Sequence, residues 1–296
     1  MGRMPFSLVE SLQEGLAREH YLADRGLSTA IFLAVSLDKP LLLEGEAGVG
    51  KTEVAKVLAS LLDRELIRLQ CYEGIDASQA LYDWDFPRQI LHLRTLEAAS
   101  RAGELDPTEA EKSLFDERFL LARPVLRALR ESPAVLLIDE VDRADDEFEA
   151  FLLEVLSTWS VSIPELGTVA AATPPFVVLT SNRTRELHDA LKRRCLYHWI
   201  DHPGLDREVA IVRSREPEVG ETLARQVVGM VQQLRSEQLL KPPGVAETLD
   251  WARALTRLGV EELDLEAAAR TLGAVVKYRE DADRVKHALD RMMATR

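Results

Sequence analysis

The sequence predicts an α/β fold in which helices sandwich a parallel five-stranded sheet, followed by a small all-α lid domain. Five short runs rich in apolar residues indicate strands, and unbroken runs among them are typical of strands buried inside a parallel sheet. These runs are 41–43, 66–71, 134–138, 176–182 and 196–200. After residue 203 no such run occurs and apolar residues recur at helical spacing. We therefore predict an α/β domain over 1–203 and the helical lid over 204–296.

The composition of the chain narrows its function. A formal net charge of −13 disfavours nucleic acid and anionic membranes as partners. Two cysteines, Cys71 and Cys195, are too few for a disulfide framework and indicate a reducing compartment. No apolar run has the length of a membrane span, and Glu10 and Glu14 lie where a signal peptide needs its apolar stretch. We expect a cytoplasmic protein without a membrane span.

A glycine-rich stretch after the first strand predicts a phosphate-binding loop. Residues 45–52 fit the pattern G-x-x-x-x-G-K-[ST], the P-loop. The residues predicted to contact the nucleotide are Gly45, Glu46, Ala47, Gly48, Val49, Gly50, Lys51 and Thr52. A chance glycine-rich turn is the alternative, but strand, loop, Lys-Thr and helix occur in the order that a P-loop requires. The sequence therefore predicts binding of a nucleoside triphosphate.

Each part of this loop has a physical role. The glycines let the backbone turn tightly and bring its N–H groups close to phosphate oxygens. The helix that follows offers its positive N-terminal end to the anion. Lys51 can reach the β- and γ-phosphates, and the hydroxyl of Thr52 can hold Mg²⁺.

A pair of carboxylates follows the third predicted strand. Asp139 and Glu140 come directly after the run 134–138, and ligands of parallel α/β sheets bind at the carboxyl ends of strands. Asp139 fits a direct or second-sphere partner of Mg²⁺, and Glu140 fits a base that orients and polarises water. The alternative is that the pair caps a following helix. With a P-loop upstream, the pair favours hydrolysis of the triphosphate over transfer to a small molecule.

Asn182 ends the fourth predicted strand and would stand beside Glu140 if the two strands are neighbours. There its amide could hold the attacking water or a γ-phosphate oxygen. An asparagine after a strand is otherwise a common turn residue. We predict the functional role because the other two motifs are present.

Three cations, Lys192, Arg193 and Arg194, end the helical segment before the fifth predicted strand. A run of charges is usually a solvated face. At the end of a helix, however, cations are favoured by the helix dipole, and an arginine on a rigid element can stabilise a phosphate during its transfer.

Two segments interrupt the regular alternation of strands and helices. Residues 72–123 are predicted to form an insertion, and residues 161–170 a small β-hairpin. The stretch 82–87 sets three aromatic residues among acids, and it is either a solvated excursion or a loop that grips a protein partner. On the second interpretation Trp84 and Phe86 are exposed and face the client.

In combination, these motifs resemble those of the AAA+ ATPases, which are P-loop NTPases. Within the AAA+ ATPases they resemble the MoxR family. The greatest similarity is to the CoxD-like group, which is associated with the maturation of carbon monoxide dehydrogenase. The stretches that carry the resemblance are 45–52, 136–145 (LLIDEVDRAD) and 180–203 (TSNRTRELHDALKRRCLYHWIDHP). The resemblance spans nearly the whole chain.

The resemblance implies an ATP hydrolase that uses Mg²⁺. The implied catalytic residues are Lys51, Glu140, Asn182 and Arg193, and the implied Mg²⁺ partners are Thr52 and Asp139. In the terms of the family, Asp139 and Glu140 form the Walker B pair and Asn182 is sensor 1. Arg193 falls where the MoxR pattern has its arginine finger, and Arg194 is the reserve.

Assembly and partners are also implied by the resemblance alone. Members of the family form rings, usually hexamers, in which the arginine finger enters the site of the neighbouring subunit. They work with proteins that carry a von Willebrand factor A domain, and they remodel or mature a protein client, here one that could be a metalloenzyme.

One departure concerns the lid. The family often shows Ser-Pro-Arg near the start of a lid helix, and its arginine is sensor 2. This chain has Lys241-Pro242-Pro243 there, so that arginine is missing, and Lys241 or Arg253 could substitute for it.

The rival function is a nucleic-acid motor or loader of the same fold. Residues 72–90 contain one arginine (Arg88), no lysine and four acids, which disfavours a basic loop for nucleic acid.

Overall fold

The computed structural model describes residues 6, 8–100, 113–131 and 133–294, with backbone alone at 98–100, 287–288 and 290–294. Its strands are β1 (Leu41–Gly45), β2 (Glu65–Gln70), β3 (Tyr82–Trp84), β4 (Leu120–Ala122), β5 (Ala134–Asp139), β6 (Ser160–Ile163), β7 (Gly167–Ala170), β8 (Phe176–Ser181) and β9 (Leu196–Ile200). Its helices are α1 (Val9–Arg18), α2 (Arg25–Ser36), α3 (Lys51–Leu61), α4 (Ala77–Leu81), α5 (Phe86–Ser100), α6 (Pro124–Arg130), α7 (Asp146–Thr158), α8 (Asp189–Arg194), α9 (Leu205–Arg215), α10 (Glu221–Ser236), α11 (Val245–Arg257), α12 (Leu265–Thr271) and α13 (Arg279–Ala294).

The predicted parallel five-stranded sheet with flanking helices is confirmed. Its strand order is β2-β5-β8-β1-β9. β5 pairs in parallel with β2 on one side and with β8 on the other. Every residue of β5 and of β8 is buried, as expected from their unbroken apolar sequences. The residues that follow these two strands therefore emerge at the same edge of the sheet.

The chain divides into two compact units, each with its own core. The first includes Ala30–Leu43 and Leu58–Tyr197, and its core packs β2, β5 and β8 against α6 and α7. The second is made of Phe6–Thr29, Glu44–Val57 and His198–Arg296, and its core joins α9 to α13 around the fully buried Trp251. The predicted boundary near residue 203 stays a prediction.

The helical character predicted for the C-terminal region is confirmed. Residues 204–294 form five α-helices and one short 3₁₀ turn, and the structure places no strand among them. The Pro-Pro-Gly stretch at 242–244 lies between α10 and α11. Within the described ranges, no helix is long and apolar enough to cross a membrane.

The hairpin predicted at 161–170 is confirmed, since β6 pairs with β7 in antiparallel register. In the insertion, β3 pairs with β4 in the same manner, and residues 101–112 lie outside the described part. The exposure expected for Trp84 is wrong. Its ring is half-buried on the core of the first unit and lies edge-on to Phe115, with 5.4 Å between the ring centroids. Alternation along β3 places Tyr82 and Trp84 on this face and Asp83 on the other.

Phe86 differs from Trp84, because it begins α5 beyond the strand and is 59% exposed, as expected. Whether the stretch 82–87 contacts a client stays a prediction.

Candidate functional site

The P-loop lies between β1 and α3, where the sequence predicts it. β1 ends at Gly45 and α3 begins at Lys51, so the loop runs into the first turn of a helix. Gly48 has a φ of 80°, a backbone conformation that residues other than glycine rarely adopt. Lys51 is 6% exposed, and its ammonium donates hydrogen bonds to the carbonyl oxygens of Gly45 (2.7 Å) and Glu46 (2.6 Å). The cation is thus held against the loop that is predicted to bind phosphate.

Tyr21 packs against this loop, although it was not among the predicted site residues. A side-chain carbon placed on Gly50 would lie 3.7 Å from the Tyr21 ring. Burial raises the pKa of the Tyr21 phenol above its ordinary value, and the charge of Arg207 opposes that shift. The phenol therefore stays protonated at neutral pH. Tyr21 lies outside the P-loop pattern, so no motif marks it.

The first turn of α11 also contacts the P-loop. The backbone N–H groups of Val245 and Ala246 donate hydrogen bonds to the carbonyl oxygen of Gly48, over 3.0 and 3.3 Å. These contacts were also missed, because main-chain donors leave no signal in the sequence. Arg253, one of the two candidates to replace the sensor 2 arginine, is instead paired with Glu216, whose carboxylate accepts its Nε over 3.0 Å.

Asp139 lies at the end of β5 and is 2% exposed. Its Oδ1 accepts a hydrogen bond from the hydroxyl of Thr180 over 2.5 Å. Its Oδ2 accepts two from Arg68 on β2, one from Nη2 over 2.6 Å and one from Nε over 3.1 Å. The guanidinium compensates a carboxylate that would otherwise be costly to bury. Arg68 was not among the predicted site residues, because an arginine on a strand has many possible partners and this contact depends on the pairing of β2 with β5.

Glu140 follows at once and is held from three sides. Its Oε2 accepts hydrogen bonds from the side-chain amide of Gln70 over 3.1 Å and pairs with Nε of Arg143 over 2.9 Å. Its Oε1 accepts one from the amide of Asn182 over 3.3 Å. The backbone of Glu140 is left-handed, with a φ of 55°, which is a strained conformation for a residue with a side chain and is enriched at functional sites. The predicted neighbourhood of Asn182 and Glu140 is therefore present.

Asp142 explains why Asn182 is in place. This carboxylate is 2% exposed and accepts the backbone N–H of Asn182 over 3.2 Å. It also accepts the backbone N–H of Thr184 over 2.8 Å and the hydroxyl of the same residue over 2.7 Å. These hydrogen bonds connect the loop after β8 to the turn after β5. They therefore fix the backbone position of Asn182.

The three cations lie on α8, as predicted. The N-terminal end of α8 is anchored by the buried Glu149 of α7, which accepts the backbone N–H of His188 over 2.8 Å. Lys192 pairs with Glu186 over 2.7 Å. Arg193 and Arg194 are exposed, and neither forms a hydrogen bond or ion pair with any residue that the structure describes.

The residues predicted to hold Mg²⁺ suit that ion chemically. Thr52 is the second residue of α3 and supplies a hydroxyl, and Asp139 supplies a carboxylate, which are the hard oxygen ligands that Mg²⁺ prefers. Both oxygens of Asp139 already accept hydrogen bonds, from Thr180 and from Arg68. Direct ligation through Oδ2 would therefore displace Arg68, whereas ligation through Oδ1 or through water would not.

Residues 40–195 match the AAA domain family of the dynein-related subfamily. The match includes the P-loop, Asp139, Glu140, Asn182 and the helix of Arg193. The chain belongs to this family. It is therefore a member of the AAA+ ATPases, in keeping with its fold.

Relatives of this AAA protein occur in staphylococci. An uncharacterized protein of Staphylococcus haemolyticus is 23% identical over 264 residues, which cover 86% of this chain and 91% of the relative. An uncharacterized protein of Staphylococcus aureus (strain USA300) is 25% identical over 228 residues, covering 75% and 77% of the two chains.

Among solved structures, this AAA protein is similar to the RuvB Holliday junction branch migration motor of Thermotoga maritima. The identity is 17% and the TM-score 0.47, with 91% of this chain and 72% of that chain covered.

Proposed function

We propose that this AAA+ protein binds ATP together with Mg²⁺ and hydrolyses the nucleotide. The observation that carries the proposal is the carboxylate of Glu140, which directly follows the buried Asp139 and accepts the amide of Asn182 over 3.3 Å. The amides of Gln70 and Asn182 and the guanidinium of Arg143 together fix the direction of this carboxylate, as a base that polarises water requires. A residue needed only to cap a helix would not require this set of donors.

Each predicted residue then has one task. Lys51 and the N–H groups of the P-loop bind the phosphates, and Thr52 and Asp139 hold Mg²⁺. The ion, when bound, neutralises charge on the phosphate oxygens. Glu140 accepts the proton of the attacking water, and the amide of Asn182 orients that water or a phosphate oxygen.

We propose further that the subunits form a hexameric ring in which Arg193 completes the nucleotide site of the neighbouring subunit. Support comes from the exposure of Arg193 and from its lack of an ion partner among the described residues, whereas Lys192 of the same helix is paired. A guanidinium on an anchored helix can stabilise the charge of a phosphate during transfer. Arg194 remains the reserve for this role.

We assign the protein more narrowly to the MoxR family and its CoxD-like group. In this role it acts in the cytoplasm on a protein client, together with a partner that carries a von Willebrand factor A domain. This assignment is supported by the stretches 136–145 and 180–203. The two cysteines are free buried thiols, in keeping with a reducing compartment. The exposed Phe86 of the insertion supplies an apolar contact residue for a protein partner.

The test of nucleotide binding compares two lysines of α3. Lys51→Ala should lose ATP binding, because the triphosphate loses its main protein cation. Lys56→Ala is the matched control, since Lys56 is exposed and pairs with Glu53. We expect the control to bind ATP and release phosphate like the parent. ATP affinity of Lys51→Ala within a few-fold of the parent would contradict the proposal.

The test of the client role uses Glu140→Gln, which should keep ATP bound. A client and a von Willebrand factor A domain protein should be retained by Glu140→Gln in the presence of ATP and released when ATP is withdrawn. Lys51→Ala should retain neither. Equal retention by both variants would show that the association does not depend on nucleotide.

A further inference from the structure

The contact between α11 and the P-loop joins main chain to main chain. Two successive N–H groups at the start of α11, those of Val245 and Ala246, point at one carbonyl oxygen, that of Gly48. Both partners lie in the second compact unit. The first N–H groups of a helix have no partner within the helix, so they are available to bind the loop.

The main chain at Gly244 approaches the main chain of the P-loop so closely that glycine is required at both Gly244 and Gly48. A side-chain carbon on Gly244 would lie 2.8 Å from the carbonyl oxygen of Ala47 and 2.8 Å from Cα of Gly48. A side-chain carbon on Gly48 would lie 3.1 Å from Cα of Gly244 and 3.1 Å from a carboxylate oxygen of Glu247. These contacts make the position of α11 dependent on the conformation of the P-loop at Gly48.

The geometry of the peptide group links this contact to phosphate binding. A peptide unit is planar and trans, so its C=O and the next N–H point in opposite directions. Fixing the carbonyl of Gly48 towards α11 therefore fixes the N–H of Val49 away from α11. The N–H groups of a P-loop are the donors that cradle phosphates.

The start of α11 is itself held rigidly. The peptide between Pro243 and Gly244 is tied at both ends, because Nε of Arg235 donates to the Pro243 carbonyl over 2.7 Å and Glu247 accepts the Gly244 N–H over 2.9 Å. Arg235 is in turn bound by both carboxylate oxygens of Glu208, each over 2.7 Å. Glu208 is fully buried, so this ion pair cannot be exchanged freely for water.

We propose that Val245 is a positioning residue for ATP. Its backbone N–H orients the peptide that follows Gly48, whose N–H faces the phosphates. Through the same hydrogen bond, α11 responds to bound phosphate. The proposal rests on the proposed binding of ATP. In the family that this chain resembles, the sensor 2 arginine is expected to couple the lid to the nucleotide. This chain lacks that arginine, and we give its task to the main-chain contact between Val245 and Gly48. Coupling of this kind is reciprocal, so phosphate should also hold α11 in place.

The variant Val245→Pro deletes this donor and also replaces the buried valine side chain with the ring of proline. Val245 is the first residue of α11, a position where proline is well tolerated. The preceding residue, Gly244, is extended, with φ −84° and ψ −175°, as a residue before proline prefers. The matched control is Glu221→Pro, because Glu221 begins α10 after the extended Gly220 and its only ion pair among the described residues, with Arg213, is exposed.

The experiment measures the affinity of a slowly hydrolysed ATP analogue with Mg²⁺, and hydrogen–deuterium exchange of the amides of α11 with and without that analogue. We expect Val245→Pro to bind the analogue roughly 3- to 10-fold more weakly than the parent, the size of one lost hydrogen bond. The analogue should no longer slow exchange in the first turns of α11. Glu221→Pro should match the parent in both measurements. Glu247→Ala, which releases the Gly244 N–H, should shift both in the direction of Val245→Pro.

Two results would overturn the inference. A parent protein that binds no nucleotide would remove the proposed function and this inference with it. A parent that binds ATP, with Val245→Pro and Glu247→Ala behaving like Glu221→Pro, would leave the function intact and refute the coupling alone. If Val245→Pro fails to fold, the comparison of Glu247→Ala with Glu221→Pro decides between these outcomes.

Discussion

The side-chain amide of Asn182 donates a hydrogen bond of 3.3 Å to the carboxylate of Glu140, across two neighbouring parallel strands. The backbone on each side is fixed independently, because Thr180 accepts the Glu140 N–H over 2.9 Å and Asp142 accepts the Asn182 N–H over 3.2 Å. The direction of the Glu140 carboxylate is thus set before substrate arrives, which is what a base that polarises water requires.

We expect Glu140→Gln to keep ATP binding and to lose most hydrolysis. The amide preserves the shape of the side chain but cannot take a proton from water, and general-base catalysis of this kind contributes roughly 10²- to 10⁴-fold. Phosphate release and nucleotide affinity are measured side by side. Glu147→Gln, at an exposed position of α7, is the control. Normal turnover by Glu140→Gln would contradict the role of this carboxylate.

The guanidinium of Arg68 occupies Oδ2 of Asp139, so a Mg²⁺ ion bound directly to that oxygen would compete with Arg68. We expect Arg68→Gln to lower the Mg²⁺ concentration needed for half-maximal ATP hydrolysis, on the order of threefold to tenfold, because a charge-assisted contact with a half-exposed arginine is removed. Arg127→Gln is the control, because Arg127 pairs with the exposed Glu65 and Glu131. An unchanged or higher Mg²⁺ requirement would mean that Arg68 only holds Asp139 in place.

Glu149 links α7 to the helix that carries Arg193. Its two carboxylate oxygens bind the guanidinium of Arg185 and the N–H of His188, and the residue is 2% exposed. We expect Glu149→Gln to lower hydrolysis by roughly tenfold while ATP affinity stays within about twofold, because a displaced arginine finger weakens mainly the transition state.

Steady-state kinetics and equilibrium binding measure the two effects of Glu149→Gln. The control is Glu154→Gln, at an exposed position of the same helix. A parallel loss of affinity and turnover would indicate general unfolding instead of a displaced helix.

The insertion offers a contrast between two aromatic residues. Trp84 is half-buried on the core, whereas Phe86 is 59% exposed. Trp84→Ala should lower the free energy of unfolding by roughly 1–3 kcal/mol, as expected for truncating a half-buried ring, and Phe86→Ala should change it by about 0.5 kcal/mol or less. Urea unfolding measures both. Phe86→Ala should instead weaken stimulation by a partner, and equal losses of stability would contradict the contrast.

The fold and the motifs could be predicted because each is encoded locally. Apolar runs specify β5 and β8, and the residues that follow such strands emerge at one edge of the sheet, so Asp139 and Asn182 could be placed from sequence alone. Trp84 was misplaced because the acids around it suggested a surface, although Tyr82-Asp83-Trp84 alternates as a one-sided strand does.

Other parts of the site depend on contacts between distant segments. Arg68 reaches Asp139 through the pairing of β2 with β5, and Val245 reaches Gly48 through its backbone. Neither contact has a motif, because an N–H group is common to nearly every residue and an arginine on a strand has many possible partners. The assignments of Lys51, Thr52, Glu140 and Arg193 to individual roles stay predictions until they are measured.

The central claim is that Arg193 acts in the neighbouring subunit. We expect Arg193→Ala to lower hydrolysis steeply and to leave ATP affinity largely intact, and Arg194→Ala to stay near the parent. The specific activity of the parent should rise with protein concentration, because a lone subunit lacks the finger.

The most direct measurement mixes Arg193→Ala subunits with Glu140→Gln subunits, each nearly inactive alone, under conditions where subunits exchange. In a mixed ring an intact Glu140 can receive Arg193 from its Glu140→Gln neighbour, so the account predicts that phosphate release rises above the sum of the two separate preparations. No gain, with exchange shown by a fluorescent label, would contradict the claim and leave Arg193 as an exposed cation at the end of α8.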